Sequence, residues 1–156
     1  MTETEPLAAT EQLTVPQCWT LLRSTPLGRL ATVVDGRPDI HPVNHLVDHG
    51  TVLFRTADGT KLRAAVGHEV AFEADGYDAD VGRAWSVVVK GTAREISELD
   101  ESLGVMILPL FPWQAGPKPR YVRIEPASVT GRRFVVSGGM RPATVFRVAG
   151  SSIVVT

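Results

Sequence analysis

Apolar and polar positions follow a helical period first and a strand period afterwards. In "TVPQCWTLLRS", Val15, Cys18, Trp19 and Leu22 fall three and four apart, which predicts a short packed helix. Thr14 suits its cap and Pro16 its first turn. From Gly28 the chain becomes β-branched. "GRLATVV" ends at Asp35-Gly36, a hairpin-turn pair. "RPDIHPVNHLV" follows and ends in "DHG", and "TVLFRT" makes a third strand, so an antiparallel meander is predicted. Pro38 and Pro42 interrupt the second strand. Proline has no amide hydrogen to donate, so that strand must be bulged, at an edge, or partly unpaired there.

Beyond the meander, "TKLRAAV" reads as a short helix. "EVAFEAD" and "AWSVVVKGTAREI" resume strand character around a polar bend at 76–83. "SELDESLGVMI" reads as a helix capped by Ser97, "PLFPWQAGPKP" as a proline-rich loop, and "RYVRIEPASVTGRRFVV" as one or two last strands. Residues 1–12 carry few large apolar groups and are expected to be flexible. One domain is expected over 13–137, with 138–156 either trailing or adding a strand. About six or seven strands with two or three short helices predict a mainly β fold, a small barrel with helices at its rim.

Composition narrows the functional classes. The 156 residues carry a formal charge of −1, so no basic excess is present to neutralise a phosphate chain. Any anion recognised is small and bound locally. Cys18 is the only cysteine, which leaves no internal disulfide and no cysteine zinc site. No apolar run approaches the ~20 residues of a membrane span. "MTETEPLAATEQ" lacks the cationic start and apolar core of a secretory signal, so the cytoplasm is expected.

The candidate chemistry lies in "FRTADGTKL". A strand delivers Arg55 and Thr56 to an Ala-Asp-Gly bend, Gly59 gives backbone freedom, and Thr60 and Lys61 open the next helix. Two cations, two hydroxyls and helix N-terminal amides match the acceptors of a phosphate monoester. The alternative is that Arg55 and Lys61 are solvated surface charges and Thr60 only a cap. Neither a nucleotide P-loop nor a Gly-x-Gly-x-x-Gly stretch is present. His41, His45 and His49 would share a strand face. There, His41 and His45 stand about 13 Å apart, too far for one zinc, and all three read as half-exposed. Cys18 reads as packing, and Glu73 and Asp75 as a strand end. No nucleophile or acid–base pair stands out, so a reaction here would draw its reactivity from a cofactor. Trp113, in an irregular loop, suits an interface or a ligand.

The stretches "GRLATVVDGRPDIHPVNHLV", "LFRTADGTKL", "VAFEADGYD", "WSVVVKG" and "PWQAGPKPRYVRIEPASVTGRR", spanning roughly residues 13–134, resemble one family. It is the pyridoxamine 5′-phosphate oxidase-like flavin-binding split-barrel superfamily, in the actinobacterial branch related to nitroimidazole-resistance reductases. The resemblance implies a six-stranded antiparallel split β-barrel with short flanking helices. It also implies a homodimer with FMN, or alternatively a deazaflavin, at the interface. Arg55, Thr56, Thr60 and Lys61 would hold the flavin phosphate. The main chain of Pro42, Val43 and Asn44 would lie near the ring's pyrimidine edge. Trp85, Ser86 and Trp113 would approach the ring from the partner subunit. Arg29, Arg63 and Lys118 would serve the longer acidic tail of a deazaflavin. The implied function is an oxidoreductase passing electrons between flavin and a small substrate. A non-catalytic flavin carrier or sensor, and a barrel without cofactor, are the competing readings.

Overall fold

The computed structural model describes residues 10–96, 120–136, 144–148 and 151–155. Their order is β1 (Glu11–Gln12), α1 (Val15–Ser24), β2 (Leu27–Val34), β3 (Arg37–Asp48), β4 (Thr51–Thr56), α2 (Thr60–Ala65), β5 (Glu69–Asp78), β6 (Arg83–Ile96), β7 (Arg120–Val135), β8 (Thr144–Val148) and β9 (Ser151–Val155). The helix predicted from Ser97 and the proline-rich loop lie outside the described residues.

Local chemistry accounts for most element ends. Thr14 Oγ1 accepts from Gln17 N–H at 3.4 Å and Gln17 Oε1 accepts from Thr14 N–H at 2.8 Å, a complete capping box at the head of α1. Asp35 and Gly36 have φ of 50° and 72°, and His49 and Gly50 have 46° and 71°. Two consecutive positive values are what a two-residue type I′ hairpin turn demands, and its twist suits the flanking strands. Both hairpins of the meander therefore form as the sequence predicts.

Six strands close into an antiparallel ring in the order β2–β3–β4–β7–β6–β5 and back to β2. This is the mainly β, six-stranded split-barrel architecture. β1 adds at one end of β7, where Glu11 and Gln12 pair with Arg133 and Arg132. The last predicted strand is a single long one, β7, and β8 with β9 forms a separate two-stranded hairpin in the tail. The β6–β7 ladder slips between Lys90 and Gly91: Lys90 pairs with Ser128 but Gly91 with Pro126, which leaves Ala127 unmatched. A Cβ on Gly91 would stand 1.9 Å from the Glu125 carbonyl oxygen, so only glycine passes there.

Inside the ring, Phe54, Phe72, Leu30, Val87 and Ile124 pack without solvent contact, and Leu22 and Cys18 of α1 plug one end. Cys18 is packing, as its helical stripe predicts. β4 is covered on both faces. Val52, Leu53 and Phe54 are all buried in succession, and Leu53 belongs to an outer cluster with Ile96, Leu46 and Tyr121. Beside that cluster Arg123, 7% exposed, bonds Asp48 at 3.0 Å and Thr51 Oγ1 at 2.7 Å. Burial alone would raise the Asp48 carboxyl, but Arg123 and His49 outweigh it and hold the carboxyl below its usual range.

The histidines need correction. His45 is not half-exposed but 3% exposed, because Val43 and His45 face the barrel interior on the same strand. Its ring tilts onto Phe72 at 4.7 Å, and its Nε2–H donates to the Leu22 carbonyl at 2.9 Å. Nδ1 is buried with no hydrogen-bond partner. His49 leaves the strand face altogether, since it sits in the β3–β4 turn.

Burial pushes the His45 pKa below its ordinary value, despite the opposing Leu22 and Pro26 backbone bonds. Below about pH 6.5 the unfolded chain takes up a proton that the folded chain refuses. Stability is therefore full above that pH and falls as the pH is lowered through it, by at most about 1.4 kcal/mol per pH unit. Urea melts between pH 7.5 and 5.5 check this, and an identical slope in His45→Gln would remove His45 as the source. Gly91→Ala should cost at least about 1–3 kcal/mol by forcing the β6–β7 ladder apart. An unchanged melting temperature would show that the slip is not tight.

Candidate functional site

The site begins where two strands part. β3 pairs with β4 only from His45 to Asp48, opposite Phe54 to Thr51. Past that point Arg55 and Thr56 pair with Tyr121 and Arg120 of β7, while Val43 and Pro42 pair with Gly28 and Arg29 of β2. The sheet thus splits into two arms. One is the side of β3 that has no strand neighbour among the described residues, and the other is the end of β4 leading into the bend and α2.

Register explains the prolines. The His45 amide donates to the Pro26 carbonyl at 2.9 Å, which makes Leu27 and Asn44 a non-hydrogen-bonded pair. By alternation Pro42, Ile40 and Pro38 also turn their main-chain polar groups away from β2. Residues 37–43 have a strand neighbour on one side only among the described residues. Of the three options the sequence allowed, the edge is the one realised. Pro42 is exposed and Val43 is buried, so Val43 anchors the strand while its neighbours face outward.

The other arm carries the polar groups. Thr56 is 3% exposed, and its hydroxyl makes only a long bond, 3.3 Å, to the Ala57 carbonyl. The Arg55 guanidinium lies over the Tyr121 ring at 5.2 Å. Gly59, at φ 151°, occupies the N-cap of α2, and no side chain caps that helix. Thr60 is its first residue and is exposed, which overturns the reading of Thr60 as a cap. Lys61 follows, half-buried. The bend's own carboxylate, Asp58, is taken up by Arg120 at 3.0 Å, and Arg120 also holds Glu95 at 2.6 Å. Glu95 first, then Asp58, raises the Arg120 pKa. Asp58 is thus matched by Arg120, and Arg55, Thr56, Thr60 and Lys61 around it are residue types whose chemistry fits a phosphate monoester.

Trp85 and Ser86 are not brought to this bend within one chain. They lie on β6, which β7 separates from β4, and which β5 and β2 separate from β3. Trp85 lies across Gly76, where an added Cβ would stand 2.5 Å from the indole nitrogen. Trp113 and Lys118 lie outside the described residues. Arg29 is engaged by Glu73 at 3.1 Å and Asp75 at 3.5 Å, which matches its charge locally. Burial and the neighbouring Asp75 raise the Glu73 carboxyl above its usual range. Arg63 is exposed in the last turn of α2. The residues that sequence reasoning missed are Arg120 and Tyr121. They reach the bend by pairing across some sixty-five positions of sequence, a distance no local signal spans.

Comparison with known proteins agrees with this fold. The family model described as pyridoxamine 5′-phosphate oxidase matches residues 14–133. The uncharacterized protein Rv0080 of Mycobacterium tuberculosis is 40% identical over 121 residues, which is 74% of this chain and 79% of that protein. A solved FAD binding protein from Mycobacterium smegmatis is 42% identical with a TM-score of 0.64, covering 81% of this chain and 99% of that one. A FAD-binding protein from Mesorhizobium loti shares the fold at 22% identity, with a TM-score of 0.68 over 81% and 98% of the two chains. No helix among the described residues is long and apolar enough to cross a membrane. The matched span takes in α1, the parted strands, the bend and nearly all of β7, and on that ground the chain belongs to the pyridoxamine 5′-phosphate oxidase family.

Proposed function

We propose that this chain is a flavin-binding oxidoreductase that holds FMN at the interface of a homodimer. The observation that carries the reading is the parting of β3 from β4. It sets a main-chain edge beside a cradle of Arg55, Thr56, Thr60 and Lys61. Arg55 and Lys61 supply charge to the flavin phosphate, and the two threonines supply hydroxyl donors. Main-chain groups at Pro42 and Asn44, which turn away from β2, orient the ring's pyrimidine edge, while Val43, whose main-chain groups face Gly28, holds the strand in place. Trp85, Ser86 and Trp113 close the site from the partner subunit. When bound, the flavin supplies hydride and electron transfer, and the protein supplies position, electrostatics and exclusion of water.

FAD is a second reading, favoured by the M. smegmatis relative described as FAD binding at 42% identity. FAD carries the same ribityl phosphate, so the cradle serves both. A deazaflavin is the third, and it draws less support because Arg29 is already matched by Glu73 and Asp75.

Titration of the purified protein with FMN, FAD and a deazaflavin, followed by absorbance and fluorescence, ranks the three. Lys61→Glu places a negative charge in the cradle and should weaken FMN at least about 100-fold, with the melting temperature as the folding control. Unchanged FMN affinity in that variant would refute the phosphate assignment. Turnover of the loaded protein with a reduced nicotinamide separates an oxidoreductase from a carrier.

A further inference from the structure

β3 leaves β4 at His45, which pairs with Phe54 as the last rung between them. The same residue ties the parting point to α1. Its amide donates to the Pro26 carbonyl at 2.9 Å, and its imidazole Nε2–H donates to the Leu22 carbonyl at 2.9 Å. Leu22 lies in the last turn of α1, where the carbonyls have no partner within the helix. The imidazole therefore secures the helix that plugs the barrel, and does so from the strand that carries Pro42 and Asn44.

Only the neutral imidazole fits this place. With Nε2 donating, it keeps a lone pair on Nδ1, which is buried and meets no hydrogen-bond partner. A second proton would make Nδ1 a buried donor without an acceptor and put a charge in an apolar core. Among the described residues, those buried on the inner face of the barrel are apolar, apart from Thr32, Thr56 and the Cys18 thiol, which burial pushes up and keeps neutral. The buried Arg123 stands outside the barrel, on Asp48 at 3.0 Å. His41, on the same face of β3, lies about 13 Å away by strand rise and is engaged with Asp39 at 3.3 Å. No counter-charge is at hand, so proton uptake requires the imidazole to leave its place.

We propose that His45 is a proton-operated latch: neutral, it holds α1 in the barrel end and β3 at its parting point, and protonated, it swings out and frees both. Its coupling to a ligand rests on the flavin reading, since Pro42 and Asn44 lie just before it on β3. A flavin that needs those residues in place binds the closed latch and opposes proton uptake.

The test is native-state hydrogen exchange of the full-length protein from pH 7.5 to 5.5, corrected for the intrinsic rate at each pH. Protection of the Cys18 and Leu22 amides should lie below that of Phe72 and Val89 in β5 and β6, the mark of an opening short of global unfolding. It should fall by up to about tenfold per pH unit below about pH 6.5. His45→Gln keeps a donor for the Leu22 carbonyl but takes no proton, and should abolish that fall. FMN at ten times its Kd should raise α1 protection about tenfold at pH 7.5. Protection of α1 that ignores pH, that equals protection in β5 and β6, that falls equally in His45→Gln, or that is unmoved by bound FMN would each overturn the proposal. FMN that fails to bind at all refutes the flavin reading instead, and the pH arms then decide the latch. The wild-type arms suffice even if the variant folds poorly.

Discussion

The ladder between β6 and β7 is the constraint on which the rest depends. Arg83 pairs with Val135 and Ile96 with Tyr121, so one long antiparallel pairing joins the two ends of a sheet that would otherwise stay open. Closing a loop of this length is entropically costly, though the cost grows only slowly with length. Once β7 is docked it pairs with β4 from Val52 to Thr56, two residues past Phe54, where the β3 ladder ends. At the candidate site β4 is therefore held by β7 on one side after β3 has left it on the other. The slip at Gly91 lets the same strand serve both tasks, because it changes the register midway between the two ends.

What could be read from the sequence was what the chain decides locally. Asp35-Gly36 and the His49-Gly50 pair specify their turns through positive φ, and Thr14 with Gln17 specifies a helix start. Pro38 and Pro42 announced an irregular strand, and among the described residues β3 is paired on only one side there. The bend at 56–61 was legible as a cluster because its residues are neighbours in sequence. Long-range facts were not. Nothing near Asp58 reveals that Arg120 will hold it, and nothing near His45 reveals that the Leu22 carbonyl will accept its hydrogen bond. The burial of His45 could have been inferred from parity with Val43. Polar type misled the reading there, since histidine is of intermediate burial in general.

The candidate site is accordingly half local and half assembled. Arg55, Thr56, Thr60 and Lys61 come as one segment, and Pro42 to Asn44 as another, and the ring sets the two side by side. Trp85 and Ser86 belong to a different part of the barrel, which is why a single chain leaves them apart and a second subunit enters the functional reading. Charge follows the same division. Most of the cations along β7 are matched by carboxylates, so what remains for ligands is concentrated at few positions.

Among the described residues, no strand covers the outer side of β3 from Arg37 to Val43. An exposed strand edge offers unpaired backbone groups to any passing chain and is a common start of aggregation. Here the two prolines sit on the outward-facing parity, four residues apart, so an incoming strand would find gaps where it needs donors. A planar ligand that needs only one or two contacts is not discouraged by those gaps, whereas a polypeptide that needs a continuous ladder is. The same two residues therefore keep the edge open to small molecules and closed to other chains.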